Sequence, residues 1–159
     1  MSIKVGNNFP SGIFRIKGSD GIKEITTEKY FDNKKVVLFA LPGAFTPTCS
    51  AKHLPSFIKN YNAIINKGIS TVACMAVNDP HVMQAWGELS GVDNKIDMLS
   101  DSDCSISVSL GLDMDFGKVM GHRSKRFAMI IDNITITQLF VEDVGAFDVS
   151  SAENILNNL

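Results

Sequence analysis

The 159-residue chain holds only three cysteines, Cys49, Cys74 and Cys104, and no two of them form a C-x-x-C pair. An odd, dispersed set speaks against a secreted disulfide scaffold and against a thioredoxin-type dithiol, and leaves reduced thiol chemistry open. Excess charge is missing as well, since 15 Lys and Arg stand against 17 Asp and Glu for a formal net charge of -2. Nothing in that balance would concentrate nucleic acid or anionic lipid. No apolar run approaches the roughly 20 residues that span a bilayer, and residues 1–8 carry no apolar signal core. These absences predict a cytoplasmic protein without nucleic-acid or membrane partners. Finger-like metal spacing is also lacking: the three cysteines are scattered among His53, His81 and His122, although Cys49 and His53 would share one helix face. No metal is expected.

What is present is an ordinary globular composition, 45% hydrophobic and 20% charged, on a chain long enough to bury a full core as one domain over residues 1–159. Two short strands, 13–16 and 22–25, flank the turn-rich 18–21 and predict an N-terminal hairpin. Strand and helix patterns then alternate. Residues 35–40 read as a buried strand, 49–66 as a helix kinked near Pro55, 71–77 as a second buried strand and the stretch from Pro80 as a helix capped by Asn78 or Asp79 with Val82, Met83, Trp86 and Leu89 on one face. A short strand near 98–99 precedes a helix over 103–110 that includes Cys104, then a glycine-bearing loop over 111–121. Strands 126–131 and 134–140 are joined through Asp132 and Asn133, and Ser150-x-x-Glu153 has the spacing of a capping box that opens a last helix. Helical crossovers imply parallel strands and the late hairpin antiparallel ones. The expected architecture is therefore α/β, a thioredoxin-like mixed central sheet with helices on both faces.

Cys49 lies where the 35–40 strand gives way to a helix. Unpaired N–H groups and the partial positive charge of a helix start favour thiolate over thiol, which marks Cys49 as a candidate nucleophile. The dipole contributes at most about 2 kcal/mol, so a fixed cation is needed beside it; arginine suits, because its planar fork stays charged and can hold a thiolate and an incoming oxygen together. Arg123 and Arg126 are the arginines near the late hairpin. Thr46 stands three residues before Cys49, where its hydroxyl is placed to donate to the sulfur or to a bound oxygen; equally, Thr46 or Thr48 is placed to cap the helix. His53, one turn on, is either an electrostatic tuner or a solvated or packed helix histidine. Cys74 starts as a core residue. At this level a peroxidase, a one-shot redox sensor and a monothiol disulfide reductase all remain open.

The segment Pro42-x-x-x-Thr46-x-x-Cys49 resembles the peroxidatic signature of the peroxiredoxin family, and Pro42-Gly43-Ala44-Phe45-Thr46-Pro47 resembles its type II, or type five, branch. The likeness continues through Cys74–Asp79, Ala85-Trp86-Gly87, Ser124-Lys125-Arg126-Phe127, Gly145-Ala146-Phe147 and Ser150-Ser151-Ala152-Glu153. It implies a thioredoxin-like fold and thiol-dependent reduction of hydrogen peroxide and alkyl hydroperoxides, with no cofactor. By position in the motif, Cys49 is the peroxidatic nucleophile, Thr46 and Arg126 orient the peroxide and stabilise charge on the departing oxygen, and Pro42 shields the oxidised sulfur. Cys74 matches a second cysteine of plant-like members and is a possible resolving thiol. Otherwise glutathione with glutaredoxin, or thioredoxin, regenerates Cys49. The resemblance also implies a homodimer, with Phe45 and Trp86 near the contact, and gives Cys104 no redox duty.

Overall fold

The computed structural model describes residues 2–159. Its centre is a seven-stranded sheet in the order β2-β1-β5-β4-β3-β8-β9, formed by β1 (Ile13–Gly18), β2 (Gly21–Thr26), β3 (Lys35–Ala40), β4 (Thr71–Ala76), β5 (Ile96–Ser100), β8 (Phe127–Asp132) and β9 (Thr135–Val141). β3, β4 and β5 run parallel, while β1, β8 and β9 join antiparallel to their neighbours, so the sheet is mixed as the sequence pattern implies. Strict alternation along β3 divides the core. Val37, Phe39 and the following Leu41 face one apolar cluster, and Val36, Leu38 and Ala40 face another. On the first face lie α2 (Leu54–Ile65), α3 (Pro80–Ser90) and α6 (Ala152–Asn157), contributing Phe57, Ile64, Met83, Trp86 and Ile155. The opposite face takes Tyr30 and Phe31 from α1 (Thr27–Phe31) and Ile106 and Leu110 from α4 (Ser105–Leu110). A strand buried on both sides must be apolar throughout, which is why residues 36–40 lack a polar face.

Several expectations need correction. The helix foreseen over 49–66 opens instead as a π-helical turn, Cys49–His53, in which the Leu54 N–H bonds to the Cys49 carbonyl. Pro55 sits in the first turn of α2, directly after the π turn. Residues 111–121 are not a plain loop: β6 (Asp113–Asp115), the four-residue α5 (Gly117–Met120) and β7 (His122–Ser124) form a small two-stranded excursion. Arg126 lies just before β8 rather than beginning it, and the β8–β9 turn is made by Asn133 and Ile134, both at positive φ, instead of Asp132 and Asn133. Helix α6 is capped by the Ser151 hydroxyl, which accepts from the Asn154 N–H; a simple cap one residue later replaces the expected box and frees Ser150 for other work. Cys104 is the residue before α4, not within it. Leu89, expected on the packed face of α3, is 79% exposed. Gly87 on the same helix admits Met98, since a Cβ there would stand 2.9 Å from the Met98 Cγ. No helix among the described residues is long and apolar enough to cross a membrane.

Candidate active site

The loop between β3 and the π turn is built before any chemistry is considered. The Leu41 N–H continues the sheet by bonding to the Met75 carbonyl, and the Ala44 N–H is taken by the Asn78 side chain at 2.9 Å. Asp79, not Asn78, caps α3, so each of the two neighbouring residues expected as alternatives has its own task. Phe45 follows in the left-handed region at φ 63, an unusual conformation for a bulky residue that these flanking bonds must hold. Gly43 makes room for Arg123, because a Cβ would lie 2.9 Å from its Nη1. Arg123 in turn donates to the carbonyls of Pro42 and Met120, tying the loop to the β6–β7 excursion. Trp86 Nε1 donates to the Ser50 hydroxyl at 3.0 Å and fixes the first residues of the turn.

Cys49 is fully buried, and its sulfur accepts a hydrogen bond from Arg126 Nη2 at 3.1 Å across 77 residues of sequence. The other arm of the guanidinium, Nη1, lies 2.8 Å from His53 Nδ1. Guanidinium nitrogens only donate, so Nδ1 is the acceptor and the His53 proton sits on Nε2, which donates to the Ser150 carbonyl at 3.1 Å. Burial first, and then the Arg126 charge, push His53 down to about 3 against the opposing bond to Ser150. The imidazole is therefore neutral at physiological pH, as its acceptor role requires.

Thr46 does not donate to the sulfur. Its hydroxyl proton goes to the Gly43 carbonyl at 2.7 Å, which leaves the oxygen lone pairs free to accept from an incoming O–H. Nor does either threonine cap the helix through its side chain: Thr48 makes no such bond, and it is the Thr46 carbonyl that receives the Ser50 N–H. Pro42, Thr48 and Arg126 line a cleft of about 300 Å³ whose far wall includes Phe116, Met114 and Val144.

The other two cysteines differ sharply from Cys49 in setting. Cys74 is fully buried in β4, within the same apolar cluster as Cys49. Burial, and then the nearby Cys49, push its thiol well above the ordinary range, with Arg126 acting the other way. Cys104 lies just before α4, and burial and then the carboxylates of Asp101, Asp113 and Asp103 push it up to about 11, partly offset by a bond from Ser107. Sequence reasoning missed Asn78, Ser150 and Glu142 as supports of this site. Asn78 and Ser150 carried only capping patterns, and Glu142 carries no local pattern that would mark it.

The Redoxin family profile matches residues 4–156. Peroxiredoxin-2D of Arabidopsis thaliana is 41% identical over 159 residues, covering 99% of this chain and 98% of that protein. Peroxiredoxin Pen c 3 of Penicillium citrinum is 39% identical over 172 residues and matches both chains in full. Among solved structures, reduced Prx3 of Vibrio vulnificus in complex with hydrogen peroxide superposes with a TM-score of 0.96 at 44% identity, covering 98% of each chain. The chain thus has full-length counterparts by sequence and by shape, and it belongs to the type II peroxiredoxins, thiol-dependent peroxidases of the Redoxin family.

Proposed function

We propose that residues 1–159 act as one domain in which Cys49 is the peroxidatic nucleophile for hydrogen peroxide and alkyl hydroperoxides. The observation that carries this reading is the Arg126 guanidinium donating to a sulfur that is otherwise sealed in the core. The Cys49 thiolate attacks one peroxide oxygen, an S–O bond forms as the O–O bond breaks, and the departing oxygen takes a proton to leave as water or alcohol. Arg126 then serves twice, holding the sulfur and stabilising charge on the leaving oxygen. Thr46 accepts the peroxide O–H with the lone pairs that its bond to Gly43 leaves free, and Pro42 walls the cleft so that water is kept from the sulfenic acid. Thr46→Val, which keeps the shape and removes the acceptor, is expected to slow peroxide attack about tenfold, roughly one hydrogen bond's worth of transition-state stabilisation, while Thr46→Ser keeps most of the rate. Single-turnover kinetics check both.

Regeneration by an external thiol fits the site better than resolution by Cys74. A resolving sulfur attacks as thiolate, whereas Cys74 is buried within the sheet and its thiol is held protonated. One thiol displaces water from the sulfenic acid to give a mixed disulfide, and a second thiol releases Cys49; glutathione with glutaredoxin, or thioredoxin, would supply them. Cys74→Ser is expected to retain turnover under a small external thiol, measured as peroxide consumed per chain. Loss of turnover with a Cys49–Cys74 disulfide detected by mass in the unsubstituted chain would reverse this part of the reading. The absence of a long apolar helix among the described residues is compatible with a cytoplasmic site of action, and Phe45, 53% exposed beside Trp86, supplies an apolar surface for a homodimer contact. The decisive test is stoichiometry. Many equivalents of peroxide consumed per chain under excess dithiol support an enzyme, and a single equivalent would reduce the protein to a one-shot sensor.

A further inference from the structure

Hydrogen bonds continue outward from the Cys49 sulfur to a carboxylate that lies beyond the reacting atoms. Arg126 bridges Cys49 and His53, and His53 donates to the Ser150 carbonyl. Ser150 is itself clasped by Glu142, whose Oε2 accepts the Ser150 N–H at 2.9 Å, the Ser150 hydroxyl at 2.7 Å and the Asp148 N–H. Burial works against the Glu142 carboxylate, but the bonds from Asp148, Ser150 and Val149 outweigh it and hold its pKa below the usual range. A carboxylate that gathers N–H groups often does no more than staple a loop. Two further contacts tie this one to the arginine. The Glu142 N–H donates to the Arg126 carbonyl at 3.0 Å, and the Phe147 ring, inside the clasped loop, packs on His53 at 5.1 Å between centroids. The backbone of Arg126 and the partner of its guanidinium are thus both fixed from the same residue.

We propose that Glu142 is a positioning residue for peroxide reduction: by clasping Ser150 it sets the orientation of His53 and, through His53, aims Arg126 at Cys49. The inference rests on the peroxidase reading of the same site. Its physical basis is that a guanidinium on a long side chain has many rotamers, and only a partner on the second arm restricts the first arm to the sulfur. His53 can be that partner only while its proton is on Nε2, which is the tautomer that the Ser150 carbonyl selects. Glu142 keeps that carbonyl in place.

The test compares Glu142→Ala, Glu142→Gln and His53→Leu in the full chain, with two reagents that attack or are attacked by the same sulfur. Hydrogen peroxide needs the arginine aligned on its oxygens, whereas iodoacetamide needs only access to the Cys49 thiolate, so both rates are read at the alkaline plateau of each variant, where thiolate supply no longer limits either reaction. Glu142→Ala and His53→Leu are expected to slow the peroxide reaction about ten- to hundredfold, the loss that follows when a reacting group is misplaced by about 1 Å. Alkylation by iodoacetamide should hold or rise as the loop loosens. Glu142→Gln, whose amide oxygen can take the same three donors, should recover most of the peroxide rate. A wild-type peroxide rate in Glu142→Ala overturns the inference, and so does a parallel fall of both reactions. Should Glu142→Ala fail to show a cooperative melting transition, His53→Leu decides by the same ratio. Independently of any turnover, nitrogen-15 shifts of the His53 ring should report the Nε2–H tautomer, and the Nδ1–H form would sink the inference alone. Failure of the peroxidase reading looks different, since the unsubstituted chain would then consume no peroxide.

Discussion

Replacing Cys49 with serine is expected to abolish peroxide turnover altogether. The hydroxyl is a far weaker nucleophile than a thiolate near neutrality, and an alcohol oxygen has no counterpart to the sulfenic acid that carries the oxygen away. Because Cys49 is fully buried, the new hydroxyl must find a partner or cost about 1 to 3 kcal/mol, so a melting transition should be recorded beside the rate. Peroxide consumption under excess dithiol makes the measurement. Turnover persisting in a folded serine variant would move the chemistry to another sulfur, and the elevated thiols of Cys74 and Cys104 make both poor replacements.

Arg126→Met is expected to give the next largest effect, a loss of about 10² to 10³ in the rate of peroxide attack, the range found when a preorganised donor to developing charge is removed. Arg126→Lys should recover little of it. An ammonium is a point donor, and the native contact uses two arms at once, one at 3.1 Å on sulfur and one at 2.8 Å on His53. The single tryptophan, Trp86, is bonded to Ser50 beside the reacting sulfur and offers a fluorescence signal for stopped-flow work. A lysine variant that reacts as fast as the wild type would show that charge alone suffices and that the fork has no role.

The parts of this site that the sequence made legible share a physical character: each is written in neighbouring residues. The unbroken apolar run of β3, the proline- and glycine-bearing loop after it and the position of Cys49 at a helix start are local patterns, and they place the thiol beyond the end of that strand without knowledge of the rest. Arg126 was reachable because the same chemistry demands a cation and few arginines are available. Ser150 and Glu142 were not. Ser150 meets His53 across 97 residues, and its hydroxyl looked committed to a capping box, whereas the cap comes from the adjacent Ser151, which lacks the Glu three residues on that the motif asks for. His53 could be read as a tuner or as packing, and only the burial of its ring and its two partners decide the tautomer. Asn78 was a plausible cap until Asp79 took that place and left its side chain to the Ala44 N–H. The β6–β7 excursion escaped notice because strands of three residues are too short to establish a period.

The wide turn at Cys49–His53 has one more implication, for how such a motif can be lost. A π turn holds one residue more than an α turn, and each helical residue advances the chain by about 100°. Deleting a single amino acid between Cys49 and Leu54 would permit an uninterrupted helix, swinging the thiol about a quarter-turn away from Arg126 while Phe57 and Ile64 stayed anchored in the core. Every letter of the proline–threonine–cysteine signature would survive such a change. A search by signature would still count the descendant as a peroxidase after its spacing had made it an inert scaffold.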